Sequence, residues 1–161
     1  MRKIISNTTP IITLLSISKL ELLRDIYGKI IIPKGVFREI EAGKNKNFYK
    51  DLSKINWIEI KTIADKEPLK YINDLDKGEA EVIVLANEIK ADLVIIDEKA
   101  GREYAEYFGL KLTGTIGILL KAKQLGIIKE VKPFLTAMQK NGIWLNQNFI
   151  NQVLKTAKEL E

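Results

Sequence analysis

Short apolar runs alternate with helical patterns along this chain, and this alternation restricts its fold more than any other feature. Runs over residues 3–6, 29–32, 57–60, 93–96 and 110–112 predict five strands. Three of these runs contain consecutive apolar residues, at 4–5, 30–32 and 93–96. Consecutive apolar residues are typical of strands buried on both faces of a parallel sheet. The sequence therefore predicts an α/β protein whose parallel sheet is covered by helices on both sides.

The C-terminal part is predicted to be helical from Gly114 onward, in three pieces broken near Gly126 and Gly142. A chain of 161 residues suits one domain of ordinary size with a substantial core. We therefore predict a single domain over residues 1–161, with a helical tail over about 114–161.

An apolar set near the end of this tail either packs on the core or forms the surface of a homodimer. We expect it to pack within the chain, although symmetric dimers are common. The set consists of Trp144, Phe149, Ile150, Val153 and Leu154.

The N-terminus has a basic start and an apolar stretch, as a signal peptide does. Residues 7–10 (Asn-Thr-Thr-Pro) interrupt that stretch, and no small-residue cleavage site follows. No apolar run reaches the roughly 20 residues that a membrane helix needs. We therefore expect no membrane association and a cytoplasmic protein.

The chain contains neither cysteine nor histidine. This composition excludes disulfides, thiolate nucleophiles, Ser-His-Asp triads and zinc sites built from Cys and His. Catalysis would have to use carboxylates, Lys, Tyr, hydroxyls or a hard metal held by oxygen ligands. The net charge of +5 is compatible with attraction to phosphate backbones but does not indicate it strongly.

One carboxylate falls on the apolar face of the helix predicted over residues 78–91. At about 100° per residue, Glu79 lies within the apolar arc, whereas Glu81 and Glu88 lie nearer its solvent edge. A buried carboxylate is costly unless it is paired, hydrogen-bonded or bound to a cation. Alternatively, the helix start protrudes and Glu79 only favours the positive end of the helix dipole, which we prefer for Glu79 taken alone.

Two polar residues directly follow predicted buried strands, Asn7 after the first and Asp97 after the fourth. Ligands of open α/β sheets gather outside the carboxyl ends of strands, although Asn and Asp also suit helix caps and turns. Glu39 lies in the helix after the second strand. Together with Glu79, these oxygen ligands would suit Mg²⁺ or Mn²⁺.

Several segments, in this order and spacing, resemble PIN domains. They resemble most a compact prokaryotic branch related to the VapC-type toxins of toxin–antitoxin pairs. The segments are 4–11, 36–40, 78–81 and 95–98, followed by Gly101-Arg102 and 114–119.

The resemblance implies a three-layer α/β/α sandwich and an endoribonuclease that depends on Mg²⁺ or Mn²⁺, acts on RNA and is neutralised by a small antitoxin. It implies that Asn7, Glu39, Glu79 and Asp97 are the catalytic and metal-binding residues.

Around these positions it implies accessory roles for Glu98, Thr8 and Thr115, and RNA binding by Arg102 and Lys99. Two alternatives stay open. Thr8 would then only cap the following helix, and Arg102 would only pair with Glu98 or Glu106.

Asn7 departs from the family pattern, which usually has aspartate at this position. An amide oxygen can coordinate a metal but brings no negative charge, so we expect weaker metal affinity. Restoring aspartate is expected to raise that affinity in a nuclease. The same departure leaves open a catalytically weak or inactive module that binds RNA or a protein.

A third reading is a phospho-acceptor or nucleotide-binding domain, since Asp97 also suits that role. Against it, there is no glycine-rich phosphate loop and no pair of acids directly after the first strand.

Overall fold

A computed structural model describes residues 2–160, so residues 1 and 161, the ends of the predicted domain, lie outside the described residues. Within it, five strands form one parallel sheet with the order β3-β2-β1-β4-β5. This confirms the predicted parallel sheet. The strands are β1 (Ile4–Ser6), β2 (Ile30–Pro33), β3 (Ile58–Lys61), β4 (Leu93–Ile95) and β5 (Leu112–Thr113).

Helices connect the strands and cover both faces of the sheet, which gives the three-layer α/β/α sandwich that was predicted. No helix within residues 2–160 is long and apolar enough to cross a bilayer. Two short 3₁₀ helices lie at Leu52–Lys54 and Glu67–Tyr71. The α-helices are α1 (Thr8–Ser16), α2 (Leu22–Tyr27), α3 (Lys34–Glu41), α4 (Lys77–Ile89), α5 (Lys99–Tyr107), α6 (Thr115–Gln124), α7 (Lys132–Lys140) and α8 (Gln147–Thr156).

The central strands form the core because their side chains are apolar on both faces. Ile4 and Ile5 of β1 are buried, as are Val94 and Ile95 of β4. Strands of this kind cannot lie at a wet surface, since each face would expose apolar area worth about 25 cal/mol per Å². The continuous apolar runs therefore require helices above and below the sheet.

The fifth strand begins later than the predicted 110–112. The end of α5 explains the shift, because the Leu110 N–H donates to the Ala105 carbonyl at 2.9 Å and closes that helix. The Lys111 carbonyl then accepts the first bond from Val94, at 2.9 Å. The Leu110 N–H thus belongs to the C-terminal cap of α5, and the paired strand comprises Leu112 and Thr113.

The C-terminal part is helical in three pieces, as predicted, with breaks at Gly126 and Gly142 in the left-handed region (φ +77° and +89°). α8 buries Ile150, Val153 and Leu154 against the rest of the chain. The expectation that the whole apolar set packs inside was wrong for two members. Trp144 is 82% exposed and Phe149 is 42% exposed.

Candidate functional site

The strand order reverses between β1 and β4, which places a topological switch point there. The chain builds β1, β2 and β3 in one direction and then crosses back to add β4 and β5 on the other side of β1. Connections diverge at such a point and leave a crevice at the carboxyl ends of the two strands. Asn7 follows β1 and Asp97 lies two residues beyond β4, so both border this crevice.

Asn7 is held in the crevice by its backbone and its amide. Its backbone N–H donates to the Ile95 carbonyl at 2.9 Å, and its side chain is almost fully buried. The amide Nδ2 donates to Glu98 Oε2 at 3.0 Å, whereas Oδ1 has no hydrogen-bond partner among the described residues. Although Asn7 is the N-cap residue of α1, its side chain makes no capping bond to that helix.

Glu39 enters the site from α3 and is bound at both oxygens. The Thr8 hydroxyl donates to Oε2 at 2.7 Å, and the Gly78 N–H at the start of α4 donates to Oε1 at 2.8 Å. The Thr8 side chain therefore orients Glu39 rather than capping α1. The structure brings together these two predicted residues, which are 31 positions apart in the chain.

Asp97 is bound to the start of α6 by two hydrogen bonds. The Thr115 N–H donates to Oδ1 at 2.8 Å, and the Thr115 hydroxyl donates to Oδ2 at 2.6 Å. Burial raises the pKa of the Asp97 carboxyl, and these two bonds oppose that rise. Thr115 thus holds the Asp97 carboxylate in one orientation, two residues beyond the end of β4.

Glu79 is the acidic side chain of the site with the strongest pKa shift. Burial, followed by the nearby carboxylates of Asp76, Glu98 and Glu39, raises its pKa to about 8. It is only 7% exposed, so the preferred idea that the helix start protrudes into solvent was wrong. Its Oε2 is buried and has no hydrogen-bond partner among the described residues.

The two predicted RNA-binding side chains lie on α5, next to the acidic cluster. Arg102 Nη1 donates to the Ile96 carbonyl at 2.7 Å, so this residue is oriented by the end of β4. In residues 2–160, no ion pair joins Arg102 to Glu98 or Glu106, which was the alternative. Lys99, the first residue of α5, is exposed.

Glu81 was predicted near the solvent edge of α4, and this was wrong. It is 6% exposed, and its Oε1 accepts the N–H of Gly35, in the first turn of α3, at 3.0 Å. Glu39 of α3 binds the first turn of α4 in the same way, through Gly78. The two helices therefore cap each other, and we call this pair of bonds the α3–α4 clasp.

Glycines give the carboxylates their space. An added Cβ at Gly78 would lie 2.1 Å from Glu39 Oε1, and one at Gly114 would lie 2.5 Å from Asp97 Oδ1. A Cβ at Gly101 would come within 2.9 Å of Glu79 Oε2, and one at Gly35 within 2.6 Å of Glu81 Oε2. Each of these four acids thus lies against a backbone that has no side chain. In the sequence, each of these close approaches is indicated by a glycine within, or just before, a predicted helix.

The site fits a hard divalent cation, although its acids do not form a ready-made cluster. Across residues 2–160, no group of three acidic side chains is arranged as a metal site, and both oxygens of Glu39 and of Asp97 accept hydrogen bonds. Two buried oxygens, Asn7 Oδ1 and Glu79 Oε2, have no partner there. Carbonyl and carboxylate oxygens are the ligands that Mg²⁺ and Mn²⁺ prefer, and crowded carboxylates favour a cation.

The fold and the site together define an α/β/α protein with acidic side chains at the carboxyl edge of a parallel sheet. The chain matches the PIN-domain family over residues 3–159 and belongs to that family. Membership suggests a nuclease-type function with RNA as the substrate, and PIN domains generally use divalent metal ions. No curated protein is similar enough to the chain to count as a match.

Proposed function

We propose that the protein is an endoribonuclease that depends on Mg²⁺ or Mn²⁺ and consists of one domain. The observation that carries this proposal is the pair of buried, unpartnered oxygens, Asn7 Oδ1 and Glu79 Oε2, beside further carboxylates at a switch point. Such oxygens are costly in a protein interior unless a partner compensates them. A divalent cation is the partner that suits a site rich in carboxylates.

Asn7, Glu39, Glu79 and Asp97 are the residues that would hold the cation. When bound, such a cation lowers the pKa of a coordinated water and stabilises negative charge on a phosphate. Thr8 and Thr115 act on the ligands themselves, since their hydroxyls donate to Glu39 and Asp97. Hydrogen bonds from neighbouring side chains fix the direction in which such ligands point.

Arg102 and Lys99 are the residues that we assign to the RNA backbone. Both lie in the first turn of α5, directly after the acidic Asp97-Glu98 pair. One N–H of Arg102 donates to the Ile96 carbonyl, and the guanidinium has further N–H donors for a phosphate. Contacts of this kind position a nucleic acid without reading its sequence.

The identity of residue 7 favours a second candidate, a PIN-domain module that binds RNA or a protein but cuts weakly or not at all. Asn7 supplies an oxygen without negative charge. A site with one carboxylate fewer should hold a divalent cation less tightly. Both candidates keep the same RNA-facing residues, so cleavage and binding must be measured separately.

We further propose that the protein is the toxin of a toxin–antitoxin pair, acts in the cytoplasm and belongs to the branch related to VapC-type toxins. The resemblance of its motifs supports this assignment. Large exposed aromatic side chains are available to a protein partner, either a small antitoxin or a second copy of the chain. Tyr71 is 78% exposed, Tyr107 is 83% exposed and Trp144 is 82% exposed.

Cleavage of a mixed pool of structured RNA tests the proposed activity. Wild type is expected to cut with Mn²⁺ or Mg²⁺ and to stop when EDTA is added. Asp97→Ala and Asp97→Asn should lower the rate by roughly 100-fold or more, while circular dichroism shows that both remain folded. Asn can still accept the bond from the Thr115 N–H, so this variant separates the charge from the fold.

Asp25→Asn is the matched control, because Asp25 is an exposed acid on α2, before the amino end of β2. Calorimetric titration with Mn²⁺ should show binding to wild type and to this control, and none to Asp97→Ala. Equal affinity in all forms would remove Asp97 from the site. RNA binding without cleavage, at any metal concentration, would favour the binding module.

A further inference from the structure

Asn7 and Glu98 form a hydrogen-bonded pair in which each side chain limits the orientation and the hydrogen bonds of the other. Glu98 Oε2 accepts from the Asn7 amide at 3.0 Å, and Glu98 Oε1 accepts from the Thr9 hydroxyl. Both oxygens of Glu98 are therefore engaged. An amide that donates through Nδ2 must turn Oδ1 the other way, and here Oδ1 is the buried oxygen without a partner.

The negative charge of this pair lies close to the other acids of the site. The Glu98 carboxylate raises the pKa of both Glu79 and Asp97, which places its charge within electrostatic reach of the two. An Asn–Glu pair also carries the same net charge as an Asp–Gln pair. With asparagine at position 7, the carboxylate of the pair is that of Glu98, which lies 3.0 Å from the Asn7 amide.

We propose that Glu98 is a positioning residue: it fixes the Asn7 amide with Oδ1 directed into the site and supplies the negative charge that an aspartate at position 7 would otherwise bring. This inference rests on the proposed function for its consequence, which is cation binding. Its structural part, the coupling between positions 7 and 98, stands on the hydrogen bonds alone.

The coupling predicts that aspartate at position 7, without a change at Glu98, lowers the stability of the metal-free protein. Asn7→Asp would place a carboxylate 3.0 Å from the Glu98 carboxylate, where the amide now donates. In metal-free protein this change should lower the melting temperature by roughly 4 °C or more, given the usual scale for a domain of this size. The exchange Asn7→Asp/Glu98→Gln restores a donor and an acceptor, and it should recover most of that loss.

A double-mutant cycle of melting temperatures in EDTA measures this coupling without any metal. The four proteins are wild type, Asn7→Asp, Glu98→Gln and the exchange variant. Rescue by the exchange supports the proposal, because independent sites would give additive shifts. Additive shifts, or an Asn7→Asp protein as stable as wild type, would overturn it.

Mn²⁺ titration by calorimetry tests the consequence for the site. Glu98→Gln keeps an oxygen that can accept from the Asn7 amide but removes the charge, and it should bind Mn²⁺ roughly 10–100-fold more weakly. The exchange variant should bind within about threefold of wild type, because net charge and hydrogen bond are both restored. Glu106→Gln, an exposed acid further along α5, is the control and should leave both readouts unchanged.

The outcomes separate this inference from the proposed function. If wild type binds no Mn²⁺, the proposed function fails, and the metal-free cycle still decides whether positions 7 and 98 act together. If Asn7→Asp alone binds Mn²⁺ more tightly while Glu98→Gln binds as wild type does, position 7 is an isolated lost carboxylate. That result would overturn the assignment of its charge to Glu98.

Discussion

The raised pKa of Glu79 gives the metal-free protein a specific dependence on pH. Its folded-state pKa is about 8, above the ordinary value of 4.5, because of burial and neighbouring carboxylates. The folded state thus holds this proton more tightly than the unfolded chain does. The stability that this tighter proton binding by Glu79 contributes is fully present below about pH 4.5. It is lost as the pH rises through about 8.

We expect the free energy of unfolding in EDTA to fall between pH 6 and pH 8.5, with a slope below the one-proton ceiling of about 1.4 kcal/mol per pH unit. The lowered pKa values of Glu21, Asp51 and Glu159 act at lower pH, where those groups ionise. Denaturant titrations across this range would measure the slope. Glu79→Gln should flatten it, and an unchanged slope would show that Glu79 ionises normally.

At the scale of residues, the helix angle placed Glu79 on the apolar face of α4, although a protruding helix start was preferred for Glu79 alone, and it placed Glu81 wrongly near the solvent edge. The angle describes only which face of α4 a residue occupies, not which neighbouring element covers that face. α3 crosses so closely, at Gly35, that it covers the edge where Glu81 lies. A glycine within a predicted helix indicates such a close crossing, and Gly35 is a glycine of this kind.

At the scale of elements, the α3–α4 clasp should be more important for the site than for stability. Gly78→Ala would add a Cβ 2.1 Å from Glu39 Oε1, the mobile end of a side chain that can swing away. Alanine also gains up to about 1 kcal/mol in helix propensity, which offsets part of the strain. We expect unfolding free energy within about 1 kcal/mol of wild type, but Mn²⁺ affinity and RNA cleavage at least roughly tenfold lower.

Gly43→Ala is the control for this change. Gly43 follows α3, and a Cβ there would meet other atoms only at 3.5 Å or more. Calorimetry and denaturant titration of both variants would separate the loss of the site from the loss of the fold. Wild-type Mn²⁺ affinity in Gly78→Ala would show that the position of Glu39 does not affect cation binding.

The number and type of elements could be read from the sequence, but some of their ends could not. Apolar periodicity predicts where a strand or helix can exist. Its end is decided by a competition for single hydrogen bonds, as at Leu110, whose N–H is taken by the Ala105 carbonyl of α5. Such a competition depends on local geometry, which the apolar pattern does not encode.

At the scale of the whole molecule, the alternation of strands and helices predicted a parallel sheet but not its strand order. The central strands are apolar on both faces, so their apolar pattern carries no information about which neighbour each one pairs with. The return of the chain across β1 to add β4 creates the switch point, and with it the site. The places of residues 7, 39, 79 and 97 near the carboxyl ends of predicted strands grouped them in advance, and the resemblance to PIN domains then assigned them to one site.

The distribution of charge over the molecule predicts which lysine contacts the RNA. The chain has a net charge of +5 yet places acids at the carboxyl edge of the sheet, so in the proposed nuclease the RNA would be held by cations beside that edge. Lys99 is exposed there, at the start of α5. In the cleavage-deficient Asp97→Asn background, Lys99→Gln should weaken RNA binding and reduce the slope of log affinity against log salt by about 0.7.

Fluorescence anisotropy of a labelled single-stranded RNA would measure both the RNA affinity and its salt slope. The salt concentration would run from roughly 50 to 200 mM, the range over which such contacts are lost. Lys111→Gln removes the same charge just before β5, at the opposite edge of the sheet, and should leave the slope unchanged. If both variants reduce the slope equally, the RNA is attracted by the net charge of the molecule alone. If only Lys99→Gln reduces the slope, the bound RNA crosses α5 beside the acidic site. Cleavage by that site would require the RNA to lie there.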